Sequence, residues 1–420
     1  MYLTDRSAPA GAETEQGRRR GSRPKVAPVV LVLGTVSLIT DISSEMVTAV
    51  LPLYLVTTLG FSPLGFGALD GVYNGVSALV QLTGGHLADR IRSHKLIAGL
   101  GYGLSALCKP LLLLASSIGA LGTLLALDRT GKGLRTAPRD AMISLSTPPE
   151  RQGRAFGVHR AMDTTGAMLG PLTAFLILNA AADGYDAVFG VSACVAVLGV
   201  VVLVLFVPGK ERTAPVDQVD RQPPVRPAEA LALLRLPRLR ALAGCAALLG
   251  LTTVSDAFVY LLLQRRAGLD EGWFPLLPLG TAVVFLLLAV PAGALADRIG
   301  RHTVFLAGHL ALLTGYALLV WAPATPALPF LVLALHGVFY AATDGVLPAA
   351  LAGIVPEHLR ASGLAIVGTS QALARFCCSL AFGAAWTIWG YGPALAGSAI
   401  GLLCCAAVAG LVLRPARDPR

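Results

Sequence analysis

Apolar stretches of about 20 residues recur along the whole chain, each long enough to carry a helix across a hydrocarbon core of roughly 30 Å. Twelve can be marked, at residues 27–57, 66–88, 96–117, 119–141, 155–179, 186–208, 240–264, 274–296, 303–322, 327–351, 362–386 and 392–414. Of the 420 residues 55% are hydrophobic and 14% charged, with a mean hydropathy of +0.69, far more apolar surface than a soluble core can bury. Inside lipid every backbone N–H and C=O needs a partner within the protein, which leaves helices as the spanning element. The expected fold class is therefore an all-α polytopic membrane protein with twelve transmembrane helices.

The basic residues orient it. Arg18, Arg19, Arg20, Arg23 and Lys25 precede helix 1; Arg90, Arg92 and Lys95 follow helix 2; Arg151 and Arg154 follow helix 4. Arg298 and Arg301 after helix 8, Arg360 after helix 10, and Arg414, Arg417 and Arg420 continue the alternation, while the opposite loops carry only Arg265 and Arg266. Lys and Arg are retained on the cytoplasmic side, so both termini are expected to be cytoplasmic and the protein to be multi-pass in the plasma membrane. The formal charge of +9 is then accounted for by topology and by attraction to the lipid bilayer, with no nucleic-acid partner implied. Trp273, Trp321, Trp386 and Trp389 fall at helix ends assigned to the outside, as in an interfacial aromatic belt. The seven cysteines lie in apolar segments without ligand-like spacing and read as small buried residues, with no metal site.

Two sequence echoes divide the chain. "GGHLADRIRSHKL" after helix 2 matches "GALADRIGRHTVFL" after helix 8, with Asp89 and Asp297 208 residues apart. "PERQGRAFG" (149–157) matches "PEHLRASG" (356–363) after helices 4 and 10 at nearly the same offset. The organisation read from this is a disordered basic tail at 1–26, a six-helix bundle at 27–208, and a linker at 209–239 with an amphipathic piece around "AEALALLRLPRLR". A second six-helix bundle at 240–414 and a tail at 415–420 complete it.

With these motifs the chain resembles the major facilitator superfamily. Gly293, Leu295, Ala296, Asp297, Arg298, Gly300 and Arg301 match that family's G-x-L-A-D-R-x-G-R loop, and Gly85, Leu87, Ala88, Asp89 and Arg90 match its first part, with Arg92 and Ser93 departing from it. The resemblance implies two pseudo-symmetric bundles rocking around a midplane site, working as a monomer on a small-molecule substrate. It also implies a latch, with Asp89 facing the start of helix 11 near Ser362, Asp297 the start of helix 5 near Ala155, and Arg90 pairing with Asp140. Physically, a carboxylate at a helix end is well placed to accept from the free amides at another helix's N-terminus. "GAMLGP", with Gly166, Gly170 and Pro171, resembles part of the exporters' helix-5 motif, although Gly-x-x-x-Gly equally allows close helix packing. Arg129, Gly131 and Gly133 in "DRTGKGLR" loosely match the exporters' helix 4; the stretch lacks phosphate-loop spacing.

Ionisable residues at mid-membrane cost about 2.5–3.5 kcal/mol each when alone, so each needs a reason. Asp41 and Glu45 share one face of helix 1; Asp128 and Arg129 lie about 14 Å into helix 4; Asp163, with His159 one turn away, lies at like depth on helix 5; Lys109 is in the outer half of helix 3. This set is expected either to line a proton and substrate pathway or to form a static cluster such as Asp41 with Lys109 and Asp128 with Arg129. Asp256, Asp344 and Arg375 are sparser counterparts in the second half, and His309 and His336 read as satisfied buried histidines. With no nucleophile elbow, metal cluster or cofactor loop, an enzyme is not indicated, and no soluble signalling domain marks a sensor. Two readings stay open: proton-coupled efflux of a drug, siderophore or metabolite, needing no cofactor beyond the proton gradient, and uptake of a nutrient. If Glu45 or Asp163 carries the proton, transport measured against pH loses its coupling in Glu45→Gln or in Asp163→Asn; unchanged coupling in both removes the assignment.

Overall fold

The computed structural model describes residues 27–91, 93–148, 152–208, 232–344, 346–352, 354–356 and 359–413. Both tails and most of the linker with its amphipathic piece lie outside them. The first bundle comprises α1 (Pro28–Leu53), α2 (Pro63–Ile91), α3 (His94–Leu112), α4 (Ile118–Leu145), α5 (Gln152–Ala180) and α6 (Gly184–Phe206). The second comprises α7 (Pro237–Gly250), α8 (Asp256–Ala267), α9 (Leu276–Ile299), α10 (Arg301–Trp321), α11 (Leu328–Thr343), α12 (Val346–Ala352), α13 (Arg360–Trp389) and α14 (Tyr391–Val412). By length and composition, seven helices among the described residues suffice to cross a membrane. The fourth is not one of them, because Asp128, Arg129, Lys132 and Arg135 crowd its middle.

Two expected continuous helices are broken. Segment 240–264 divides into α7 and α8, because Thr252 and Thr253 turn their hydroxyls back onto the Leu249 carbonyl at 3.0 and 2.9 Å and compete with the backbone ladder. The Val254 amide so released donates to Tyr316 Oη at 2.8 Å. Segment 327–351 divides into α11 and α12 around Asp344; Pro348 has no N–H with which to continue the ladder. Pro52 has a milder effect, since the chain continues from α1 into a π-turn at Tyr54–Thr58.

Glycines set the helix approaches. Gly101 on α3 faces Gly131 on α4, and a Cβ on either would stand 2.6 Å from the other's carbonyl oxygen. On α5 a Cβ at Gly166 would meet the Leu38 carbonyl at 2.4 Å, and one at Gly170 would meet Glu45 Cβ at 2.7 Å. These glycines therefore have a packing role: they seat α5 and α4 closely enough for polar side chains to meet across the bundle. The bundles join through α2 and α13, where a Cβ at Gly67 would come 2.4 Å from the Ser379 carbonyl and one at Gly383 2.5 Å from that of Pro63. We call the end where α2 begins the outer end, following the charge bias.

The lipid-facing surface is apolar, with Leu114, Val290 and Phe330 among its most exposed side chains. Trp273, Trp321 and Trp389 are exposed as expected of a belt, but Trp386 is buried against Phe258 and Phe382 and belongs to the core. The cysteines also divide: Cys194, Cys377 and Cys404 lie on the exposed surface and are not buried as expected, because their apolar helices turn those faces outward. Replacing Gly166 by Leu is expected to cost about 1–3 kcal/mol through overpacking. A lower melting temperature in detergent for Gly166→Leu than for Gly157→Leu, where a Cβ meets nothing within 4 Å, checks this.

Candidate functional site: a charge ladder between α1 and α4

Helices α1 and α4 run antiparallel, and their polar residues recur in matching steps. Lys132 Nζ pairs with Glu45 Oε1 at 3.4 Å, Arg135 with Asp41 Oδ1 at 3.2 Å, and Arg139 donates to Ser37 Oγ at 3.1 Å. Moving four residues back along α1 moves the partner three or four residues forward along α4, so one face of each helix supplies every rung.

Neighbouring helices complete each rung. Asp163 on α5 reaches Arg139 at 3.5 Å, and Arg160 at 3.4 Å; Arg139 also bonds Asp140 at 3.1 Å. His159 Nε2 lies 3.1 Å from Ser37 Oγ. On α3, Tyr102 Oη is 3.4 Å from Ser37 Oγ, and its ring lies 4.5 Å beneath the Arg135 guanidinium. At the other end Asp128 is held by Lys109 at 2.9 Å and by Arg129 at 2.7 Å, with Arg129 4.0 Å over the ring of Tyr73, whose hydroxyl is 2.9 Å from that of Thr48. Thus Asp41, His159 and Asp163 share one group of contacts, Lys109, Asp128 and Arg129 a second, and Glu45 with Lys132 stands between them along the helices.

The expected pair of Asp41 with Lys109 does not form. The glycine crossing holds α3 against α4, so Lys109 meets Asp128, and Asp41 is reached by Arg135 from the facing stripe. Lys132, Arg135 and Arg139 escaped the sequence reading, although their spacing from Asp128 at four, seven and eleven residues is that of one helix face. The rungs differ in exposure. The side chains of Lys109, Arg129 and Asp128 are 2–5% exposed, whereas those of Glu45 and Lys132 are 25% and 36% exposed. Of the two ion pairs that join α1 to α4, Glu45–Lys132 is the more exposed.

The second half builds a separate cluster. Asp256, the first residue of α8, lies 3.0 Å from His336 Nε2 and accepts from Tyr340 Oη at 2.7 and 2.6 Å, so His336 has a polar partner at a named site residue. Arg375 and Asp344 line a cavity of about 130 Å³ together with His309, Gln371 and Thr343. His309 is a satisfied buried histidine, bonded to the Phe305 carbonyl at 2.9 Å.

Of the loop motif, the side chains of Gly85, Asp89, Arg90 and Ser362 lie outside what the structure describes, while Gly300 takes φ +99° at the α9–α10 turn, a conformation that favours glycine. Among the described residues no hydrogen bond or ion pair joins Asp297 to α5. Asp297 is 70% exposed and pairs with Arg301 at 3.4 Å, and Gly293 and Arg298 sit beside it on the last turns of α9. Described contacts between the bundles include Tyr185 Oη to Glu271 at 3.0 Å and Phe175 against Trp273 at the outer end, and Phe376 of α13 against Gly71 and Gly75 farther along α2.

Comparison with known proteins agrees with this architecture. The chain matches the Major Facilitator Superfamily profile over residues 33–325 and 272–420. It is 30% identical over 370 residues to an uncharacterised MFS-type transporter of Methanocaldococcus jannaschii, covering 86% of this chain and 88% of that one. Among solved structures, the nucleoside transporter NupG shares the fold with a TM-score of 0.78 at 14% identity, over 92% of this chain and 99% of that one. A bacterial homologue of the human lysosomal transporter Spinster, in an inward-facing and unoccupied conformation, gives a TM-score of 0.76 at 16% identity, over 93% and 98%. An all-helical pair of bundles carrying a buried charge ladder, with a superfamily match along nearly its whole length, shows that the chain is a multi-pass membrane transporter and belongs to the Major Facilitator Superfamily.

Proposed function

We propose that this transporter is a proton-coupled antiporter that exports a small molecule by alternating access of its two bundles, with Glu45 as the exchanging group. The observation that carries this reading is the uneven burial of the ladder. Breaking a fully buried ion pair costs about 3–5 kcal/mol, so the Asp128 rung stays closed through a transport cycle. A partly exposed pair contributes about 1 kcal/mol or less, so Glu45 and Lys132 can part and re-form within a turnover.

The chemistry of exchange follows from that pair. A substrate carrying a cationic or hydrogen-bond-donating group takes the Glu45 carboxylate from Lys132, and a proton arriving at the same carboxylate displaces it. Proton and substrate then exclude each other, which is antiport. An anionic substrate would bind Lys132 once Glu45 is protonated and would travel with the proton, which is the uptake reading. Export is favoured by the resemblance of Arg129, Gly131, Gly166, Gly170 and Pro171 to the exporters' helix-4 and helix-5 patterns, apart from the packing of Gly131 on α3 and of Gly166 and Gly170 on α1. Growth of a deletion strain against toxic compounds and metabolites supplies the substrate for the assay.

In everted membrane vesicles an acidified lumen is expected to drive accumulation of that substrate; accumulation only with the opposite gradient overturns export. Glu45→Gln is expected to lose proton-driven accumulation by about tenfold or more, the worth of one charge-assisted hydrogen bond, while folding normally. Asp128→Asn leaves Lys109 and Arg129 buried without their shared partner, and its expected effect is a reduced yield of folded protein in size-exclusion chromatography.

A further inference from the structure

Asp70, on α2 in the first bundle, is bonded chiefly by residues of the second. Ser379 Oγ on α13 donates to its Oδ2 at 2.6 Å, and Ser255 Oγ donates to its Oδ1 at 2.9 Å. Asn74, one turn along α2, donates to the same Oδ1 at 3.3 Å and to the Asp70 carbonyl at 3.0 Å. Ser255 is the N-cap residue of α8 and makes no side-chain cap on its own helix. Its hydroxyl is spent on Asp70, which puts the carboxylate before the N-terminus of a twelve-residue helix, where the helix dipole favours an anion.

No cation shares this work. Among the described residues Asp70 makes no ion pair, and all three side-chain donors are neutral. The titratable and charged groups on the packed elements are Asp256 next to Ser255 on α8, Cys378 and Arg375 on α13, and Tyr73 on α2 with Arg129 of α4 over its ring. From α1 it is faced by Thr48, across a cavity of about 60 Å³ that Asp70 itself lines. Around the carboxylate the bundles are in close contact: the Leu64 amide donates to Thr387 Oγ at 3.1 Å and Phe66 meets Phe258 edge-on at 4.8 Å.

When the outer end opens, α8 and α13 move away with both serines, leaving Asp70 with Asn74. With only neutral donors around it, a buried ionised carboxylate is disfavoured against one in water, whereas a protonated carboxyl loses little on burial; water entering the opened end solvates the ionised form. We infer that Asp70 is a proton-binding site that gates the outer end: protonated, it stays buried between Ser255 and Ser379 and lets the bundles close, and ionised, it favours the open, hydrated end. This rests on the proton-coupled reading and assigns the gate to a different carboxylate from Glu45.

The test is a distance measurement by pulsed electron resonance between spin labels at Ser62→Cys and Thr325→Cys, exposed positions on the outer end of each bundle, in nanodiscs and on a cysteine-free background. The unmodified site is expected to shift from the long to the short distance between pH 8 and pH 5. Asp70→Asn is expected to favour the short distance at both pH values; a pH-dependent shift persisting in that variant overturns the inference. Ser379→Ala keeps the carboxylate and loses one donor, so its long-to-short ratio at pH 8 is expected to rise about tenfold while the pH shift is retained. An unchanged ratio in both Ser379→Ala and Ser255→Ala overturns it even if Asp70→Asn does not fold. Absence of proton-driven accumulation in everted vesicles sinks the coupling reading itself; proton-driven accumulation with a pH-insensitive distance sinks the assignment of Asp70 alone.

Discussion

The charges inside the first bundle are tolerable because two antiparallel helices hold one register. Each ladder cation on α4 lies opposite an oxygen on α1, or is met by a carboxylate of α4 or α5, and a slip of one residue would turn these groups into unpaired charges in a low-dielectric interior. Such a slip is prevented away from the charges. Gly101 against Gly131, and Gly166 and Gly170 against α1, fit backbone to backbone at single positions, so small residues fix the alignment on which the large polar ones depend.

Two halves with a common fold have diverged in what they bury. The first carries an acid–base system across α1, α3, α4 and α5. The second carries an acid–imidazole–phenol group at Asp256, His336 and Tyr340, and two broken helix paths in place of continuous ones. Broken paths expose helix ends, and Asp256 sits in the first turn of one of them. The ladder's charges are thus neutralised by opposite charges, while Asp256 is met by an imidazole, a phenol and the first turn of its helix.

The sequence made the architecture legible because apolar length and basic flanks are properties of single segments, and the repeated loop motif related the segments to one another. Asp41, Glu45, Asp128 and Asp163 stood out as charges in apolar runs, and all four belong to the ladder. Their partners were harder to name. Lys132, Arg135 and Arg139 lie toward the helix end that the charge bias already populates with cations, so their one-face spacing was hidden among residues that read as topology. Asp70 was missed for a different reason: its partners are serines on other helices, and a serine in an apolar helix carries no sign of where its hydroxyl points. The helix breaks at 251–255 and near Asp344 were equally hidden, because threonines and a single proline are common in continuous membrane helices.

The ladder also bears on how the protein meets an electric field. Lys109, Arg129, Lys132, Arg135, Arg139 and Arg160 face Asp41, Glu45, Asp128, Asp140 and Asp163, so all but one of the ladder's charges cancel. A transmembrane potential exerts about 2.3 kcal/mol per elementary charge per 100 mV on charge that moves across it. Opposite charges held 2.7–3.5 Å apart and carried together nearly cancel in that work. Pairing the ladder thus lowers the electrical cost of swinging the first bundle, and the proton and the substrate carry the larger share.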